Sequence, residues 1–181
     1  MVRQETAEAR AENGRLFLNS IKSWFNKDGI LVGVERVGKA FKQGDDGKYS
    51  IMVSLSLGED MPKCRVRAVE NGKYVKIEDD EGNESYKIEV VDWVEEVPLY
   101  FNVRVEEESE DEFKVFTKSS GFPLFNFAFI QAGLLPANNT KNIIFTHEEL
   151  VEVLEGLEFR AKVEQREFGG NKYPVLIPEE V

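Results

Sequence analysis

The sequence predicts a mainly β fold with flanking helices, as a β-barrel or a curved antiparallel sheet, and three observations carry that expectation. Tyr49 to Leu57 alternates apolar with small polar residues at period two, the pattern of a half-buried strand. Asn71-Gly72 lies between two β-favouring runs and is the strongest short hairpin signal, because both central residues of such a turn need positive φ. The segments run as a helix, about six strands, two short helices and two strands, which lacks the strand–helix alternation of a parallel sheet.

Each element has its own justification. Residues 3 to 12 are polar and helix-favouring, and Leu16, Phe17, Ile21, Trp24 and Phe25 continue an amphipathic helix that Gly29 ends. Ile30 to Val34 begins a strand, and Gly44-Asp45-Asp46-Gly47 turns the chain into the alternating strand at 49 to 57. Arg65 to Val69 and Tyr74 to Ile77 flank the Asn71-Gly72 turn, and Tyr86 to Trp93, Val97 to Val105 and Phe113 to Thr117 extend a meander. Ser119-Ser120-Gly121-Phe122-Pro123 is a helix entry, with hydroxyls able to cap and proline near the first turn of a helix over Leu124 to Gly133. Its phenylalanines, Phe122, Phe125, Phe127 and Phe129, with Leu124 and Ile130, make it apolar on all sides, which suits a core helix before an oligomer contact. Thr146-His147-Glu148-Glu149 is a capping box opening a second helix with Leu150, Val153 and Leu154 on its apolar stripe. A last hairpin joins Leu157 to Phe168 with Tyr173 to Ile177 through Gly169-Gly170-Asn171. The domain expectation is a helical segment at 1–28 and one β-rich domain at 29–181, with a helical insert at about 120–155.

Composition narrows the chemistry. With 181 residues, 41% hydrophobic and 11% aromatic, the chain can bury a core and is not of disordered or fibrous type. Its one cysteine, Cys64, and one histidine, His147, leave no intramolecular disulfide and no Cys/His zinc site of the usual kind. The longest apolar run, Phe122 to Leu135, holds Pro123, Asn126 and Gln131 and falls short of the roughly 20 residues that cross a bilayer. The N-terminus leads into a polar run, so the expectation is a cytoplasmic protein without membrane attachment. The net charge of −11 is local: residues 59–112 hold 18 acidic and 7 basic side chains, whereas residues 1–58 hold 7 and 9. The run at 106–112 reads as a solvated hairpin loop, with a docking site for a basic protein partner as its functional alternative.

Several motifs fall short of a reaction. Gly33 to Ala40 is one residue short of a phosphate-binding loop, but Ala40 cannot ligate magnesium and Val34 and Val37 favour a strand. His147 lies inside a capping box with no nucleophile tied to it, and Cys64, between Lys63 and Arg65, reads as a small buried hydrophobe. Asp79 to Glu84 offers oxygen ligands without the spacing of a calcium loop and reads as a turn. No cofactor is expected.

The most informative pattern is two strands with cations on one face. Lys63, Arg65 and Arg67 alternate with Cys64, Val66 and Ala68, and Arg160, Lys162 and Arg166 alternate with Ala161 and Val163, interrupted by Glu164. Such strands could track a phosphate backbone, with Trp24, Tyr49, Tyr74, Phe168 and Tyr173 as candidate stacking surfaces for single-stranded nucleic acid. The nucleic-acid site expected is therefore Lys63, Arg65, Arg67, Tyr74, Arg160, Lys162, Arg166 and Tyr173. Alternating charge on a solvent face is also what any antiparallel sheet shows.

The C-terminal third adds a resemblance. Phe116 to Ser120 before a short apolar helix, the Thr146 to Leu150 box, the run Leu154-Glu155-Gly156-Leu157-Glu158-Phe159 and the closing Gly169 to Pro178 hairpin resemble, in layout, phage-type replication-associated proteins with an OB-like barrel. The resemblance spans residues 113–181 and implies an OB-like barrel that binds single-stranded DNA in replication or recombination, without transferring contact residues. Function is accordingly expected to be non-enzymatic binding of single-stranded nucleic acid. The alternative is an acidic protein-interaction or structural module, with a homo-oligomer held through the helix at 122–133 as one form of it.

Overall fold

A computed structural model describes residues 21–25, 27–60, 63–71, 73–92, 96–106 and 111–181, without the side chains of Lys22, Ser23, Cys64, Val91 and Phe168. The amphipathic stretch expected at 3 to 20 lies outside the described residues, and helix α1 covers Ile21–Trp24. The chain divides into two compact units. One, the sheet unit, holds Lys27–Glu59 and Glu96–Val181; the other, the arm unit, includes Asp60–Glu95.

The sheet unit is the mainly β, helix-flanked structure that the pattern predicts. Its strands are β1 (Ile30–Val37), β2 (Phe41–Lys42), β3 (Lys48–Ser56), β10 (Val97–Val105), β11 (Glu112–Val115), β12 (Ile143–Thr146), β13 (Glu158–Phe168) and β14 (Asn171–Glu179). Seven of them form an antiparallel sheet in the order β12-β11-β10-β3-β1-β13-β14, curled into a half-barrel, and β2 pairs with β3. The two halves of β3's alternation explain the curl's inside: Ile51, Val53 and Leu55 are buried and oppose Phe101, Leu99 and Val97 in register. The near-match to a phosphate loop is strand, since β1 runs through Val37 with Ile30, Val32 and Val34 in the core. A register shift between Val34 and Arg36 bends β1 within its pairing with β3, just past the point where its pairing with β13 ends at Gly33.

Two helices pack against the core face of the sheet. Helix α2 (Phe122–Gln131) buries Leu124, Phe125, Ala128 and Phe129, so the phenylalanine-rich segment serves the core. Neither Ser119 nor Ser120 caps it. The N-cap is Gly121, because a Cβ there would come within 3.0 Å of Phe101 Cβ. Phe145 of β12, a strand that the sequence pattern did not reveal, is fully buried, with ring centroids of Phe125 and Phe129 at 5.7 and 6.0 Å. Helix α3 (His147–Leu154) carries the expected capping box: Glu149 N–H donates to Thr146 Oγ1 at 3.1 Å, and Thr146 N–H donates to Glu149 Oε1 at 3.0 Å.

The edges of the sheet are blunted. β12 has four residues, and β14 carries Pro174 and Pro178, which lack the N–H that a further strand would need. The tight β13–β14 turn places Gly169 and Gly170 at φ 57° and 84°, the left-handed region that glycine tolerates best.

The arm unit is built differently from the single hairpin that Asn71-Gly72 suggests. Its six short strands are β4 (Lys63–Arg67), β5 (Val69–Glu70), β6 (Lys73–Tyr74), β7 (Lys76–Glu78), β8 (Glu84–Tyr86) and β9 (Ile88–Asp92). They pair as β4 with β9, β5 with β6 and β7 with β8, all antiparallel. Asn71, at φ 51°, does make the turn of β5 and β6, but that hairpin is only two residue pairs long. Among the described residues, no helix is long and apolar enough to cross a membrane.

Candidate nucleic-acid interface

The three ladders of the arm unit meet at three residues that belong to none of them. Ala68 N–H donates to Lys87 C=O at 2.8 Å, Lys87 N–H to Val75 C=O at 2.9 Å, and Val75 N–H to Ala68 C=O at 2.9 Å. Each of the three donates once and accepts once, so the bonds close a ring and satisfy backbone groups that the ladders leave over. Ala68 is 2% exposed, and a small side chain at this point lets the strands converge.

The residues that immediately precede the ring are Arg67, Tyr74 and Tyr86, and the ring draws their side chains together. The Arg67 guanidinium carbon lies 4.2 Å from the Tyr86 ring centroid and 5.6 Å from that of Tyr74. The two tyrosine rings are 5.8 Å apart at 71°, and Lys76 Nζ is 5.7 Å from the Tyr86 ring. Tyr74 and Tyr86 remain 49% and 38% exposed. An exposed guanidinium–aromatic contact is worth about 0.5–1 kcal/mol, enough to orient the side chains without locking them. The result is a platform of two phenol rings and two cations, Arg67 and a Lys76 whose ammonium also lies 3.8 Å from Glu84 Oε2, which can stack a flat π-system and meet an anion beside it chiefly through Arg67.

The arm beyond the platform is acidic and held by its own backbone. Asp79 Oδ1 accepts the N–H groups of Asn83 at 2.8 Å and Glu81 at 2.9 Å. The Asn83 N–H is the largest influence on the Asp79 carboxyl, and the turn holds it below the usual aspartate range.

Of the expected site, the structure therefore brings together Arg67 and Tyr74. Arg65 shares the β4 face of Arg67 and stands opposite Val90, while Lys63 pairs with Asp92 in a salt bridge at the foot of the ladder. The second basic face lies in the sheet unit and is largely engaged. Arg160 Nη1 donates to the Gly29 carbonyl at 3.0 Å, and Glu164 lies between Lys162 and Arg166, 4.0 and 3.7 Å from their nitrogens. Tyr173, half-exposed, stands opposite Arg166 in register. Among the stacking candidates, Trp24 is buried, Tyr49 packs against Phe113 with centroids 5.5 Å apart, and the side chain of Phe168 lies outside the described residues.

Tyr86 and Lys76 complete the platform and were not anticipated. No pattern of neighbouring residues marks them, because the pairings that bring them beside Arg67 join segments far apart along the chain. His147 Nε2 lies 2.8 Å from the Gly38 carbonyl, a tether between α3 and the end of β1. Residues 107–110 of the acidic run lie outside the described residues; at its base Lys114 pairs with Glu106 at 3.0 Å. Among the described residues, no group of three or more His, Cys, Asp or Glu could hold a metal ion. Comparison with protein-family models, with curated proteins and with solved structures finds no match.

Proposed function

We propose that this chain is a non-enzymatic binding protein that engages single-stranded nucleic acid through the Arg67, Tyr74, Tyr86 and Lys76 platform, in replication or recombination in the cytoplasm. The observation that carries the reading is the convergence of two half-exposed phenol rings on one guanidinium at a backbone junction. Bases offer π-faces of any sequence to such rings, and the cations offer charge to the intervening phosphates. The acidic tip at residues 78–84 lies beyond the platform along the arm and would repel a phosphate chain there, which confines contact to the junction. Arg160, Lys162 and Arg166 contribute less in this reading, since Glu164 and the Gly29 carbonyl already hold them.

The test is anisotropy of a labelled single-stranded oligonucleotide titrated with protein at two salt concentrations, with duplex as competitor. Affinity should fall with salt and single strands should compete better than duplex. Arg67→Ala with Lys76→Ala should flatten the log–log salt slope by about one to two. Tyr86→Ala should weaken binding roughly fivefold or more and leave the slope unchanged, because stacking releases no counterions. Absence of binding at micromolar protein in low salt would refute the proposal.

A further inference from the structure

The outer face of the half-barrel carries a second aromatic pair that the arm platform does not use. Along β3 and β10 the residues that point away from the core are Ser50, Met52 and Ser54, and Pro98, Tyr100 and Asn102. The register sets Ser50 beside Asn102 on one side and Phe41 on the other, and Met52 beside Tyr100. Tyr100 is 51% exposed and Phe41 46%, with ring centroids 6.2 Å apart at 76°. Large rings in the middle of an open sheet face are not required by the core, which lies on the opposite side.

A second observation comes from beneath them. Ser50 is fully buried, and its hydroxyl has no hydrogen-bond partner among the described residues. Buried hydroxyls are almost always paired, so an orphan one calls for an explanation. The residue that faces it across the ladder on that side is Phe41, on the two-residue strand β2. That strand is held by its pairing with β3 at Phe41 and Lys42, and on either side by Gly38 N–H to Met52 C=O at 2.8 Å and Gln43 N–H to Lys48 C=O at 2.9 Å, so the part that can turn aside is the half-exposed Phe41 side chain.

We propose that this face is a second ligand site, in which a planar, hydrogen-bonding ring stacks on Tyr100, displaces Phe41 sideways and takes up Ser50 Oγ and Asn102. A nucleobase is the ring that fits. It supplies a π-face for Tyr100 and edge donors and acceptors for a hydroxyl and an amide. Arg104 and Lys48 stand in register at one end of the face, sharing Asp46, and Arg36 stands at the other, paired with Glu96 at 3.2 Å; these are neighbours for a phosphate. A protein partner fits less well, because serines and an asparagine surround the two rings where a protein interface would need a continuous apolar centre. The base can come from a free nucleotide or from a strand, and the site stands independently of the arm platform.

The test uses the full chain with two probes, adenosine monophosphate and a fluorescein-labelled oligothymidylate, against Tyr100→Ala, Ser50→Ala and the arm variant Arg67→Ala with Tyr86→Ala. Tyr100→Ala should weaken binding about tenfold with an unchanged salt slope. Ser50→Ala separates ligand from structure. It should hold or raise the urea midpoint, since it removes an unpaired buried hydroxyl, and still weaken binding several-fold. Adenosine monophosphate binding that Tyr100→Ala abolishes identifies a nucleotide site; an effect seen with the oligonucleotide alone identifies a strand site. Losses from the arm and face variants should multiply. Loss only in the arm variant overturns this inference and keeps the arm reading, loss only in the face variants does the reverse, and wild-type protein that binds neither probe overturns both.

Discussion

Replacing Gly121 by alanine sets two known effects against each other, and the geometry decides between them. Gly121 has φ −82° and ψ −15°, a conformation that alanine adopts freely, so reduced freedom of the unfolded chain would by itself stabilise the protein by about 0.4–1 kcal/mol. Against that, the new Cβ would lie 3.0 Å from Phe101 Cβ and 3.2 Å from its Cγ and Cδ1. The nearest of these atoms is fixed to the β10 backbone, so turning the ring cannot relieve the contact. Phe101 is buried and its ring packs edge-on to Phe125, 5.6 Å away, which is itself fully buried. Overpacking of such a site costs about 1–3 kcal/mol, and alanine is also a poor N-cap. The net expectation is a loss of about 1–2 kcal/mol. Equilibrium urea unfolding followed by circular dichroism should show a lower midpoint with an unchanged slope. In a Phe101→Ala background the same change should cost less, since the vacated ring volume lets the helix entry shift. A midpoint equal to or above that of the unaltered protein would refute the argument that this close approach selects glycine over the two serines before it.

Three further expectations follow from other parts of the molecule. Phe145→Leu, which removes the ring shared by Phe113, Phe125 and Phe129, should lower stability by about 2 kcal/mol, and urea unfolding that shows under 0.5 kcal/mol would contradict the central place given to that ring. Lys87→Pro deletes one donor of the junction ring, so amide resonances of Ala68, Val75 and Tyr86 should move strongly while those of β10 stay in place; equal shifts in both would deny the arm unit its separateness. The Asp79 carboxyl is held low by the N–H groups that it accepts, so the turn is fully supported above the ordinary aspartate range and loses that support only as pH falls through the lower folded value. Amide shifts of Glu81 and Asn83 should therefore titrate with a midpoint below that range, and a midpoint within or above it would remove the carboxylate from the turn.

What could be read from the sequence depends on whether the deciding contact is local. The alternation at Tyr49 to Leu57, the capping box at Thr146 and the last hairpin are written in neighbouring residues, and the structure places them with shifts of only a residue or two at their ends. β12 escaped because four residues between two helices carry too little period to register, and its pairing with β11 is set across a chain separation that no local pattern spans. The serines before α2 were read as caps by propensity, whereas a tertiary contact with Phe101 decides that position. The junction was missed for a related reason. Asn71-Gly72 announces its turn, but the pairing of β4 with β9 depends on residues some 25 positions apart. Of the basic faces, period two gave the side on which each cation lies and could not tell that Glu164 and the Gly29 carbonyl occupy one set while Arg67 leans on tyrosines.

The strands of the arm unit begin and end on one ladder rung, where Lys63 stands opposite Asp92, and β3 and β10 likewise stand opposite each other at Leu55 and Val97. Two chains one strand spacing apart, about 4.8 Å, are what an ordinary hairpin turn joins. The β3–β10 pairing thus asks of the segment between those strands only that it return the chain to where it left. Such an insert is free to be lengthened at its tips, shortened to a turn or exchanged for another module of short paired strands, and its sequence can drift under selection for what it contacts while the buried face of the sheet that carries it drifts under selection for stability.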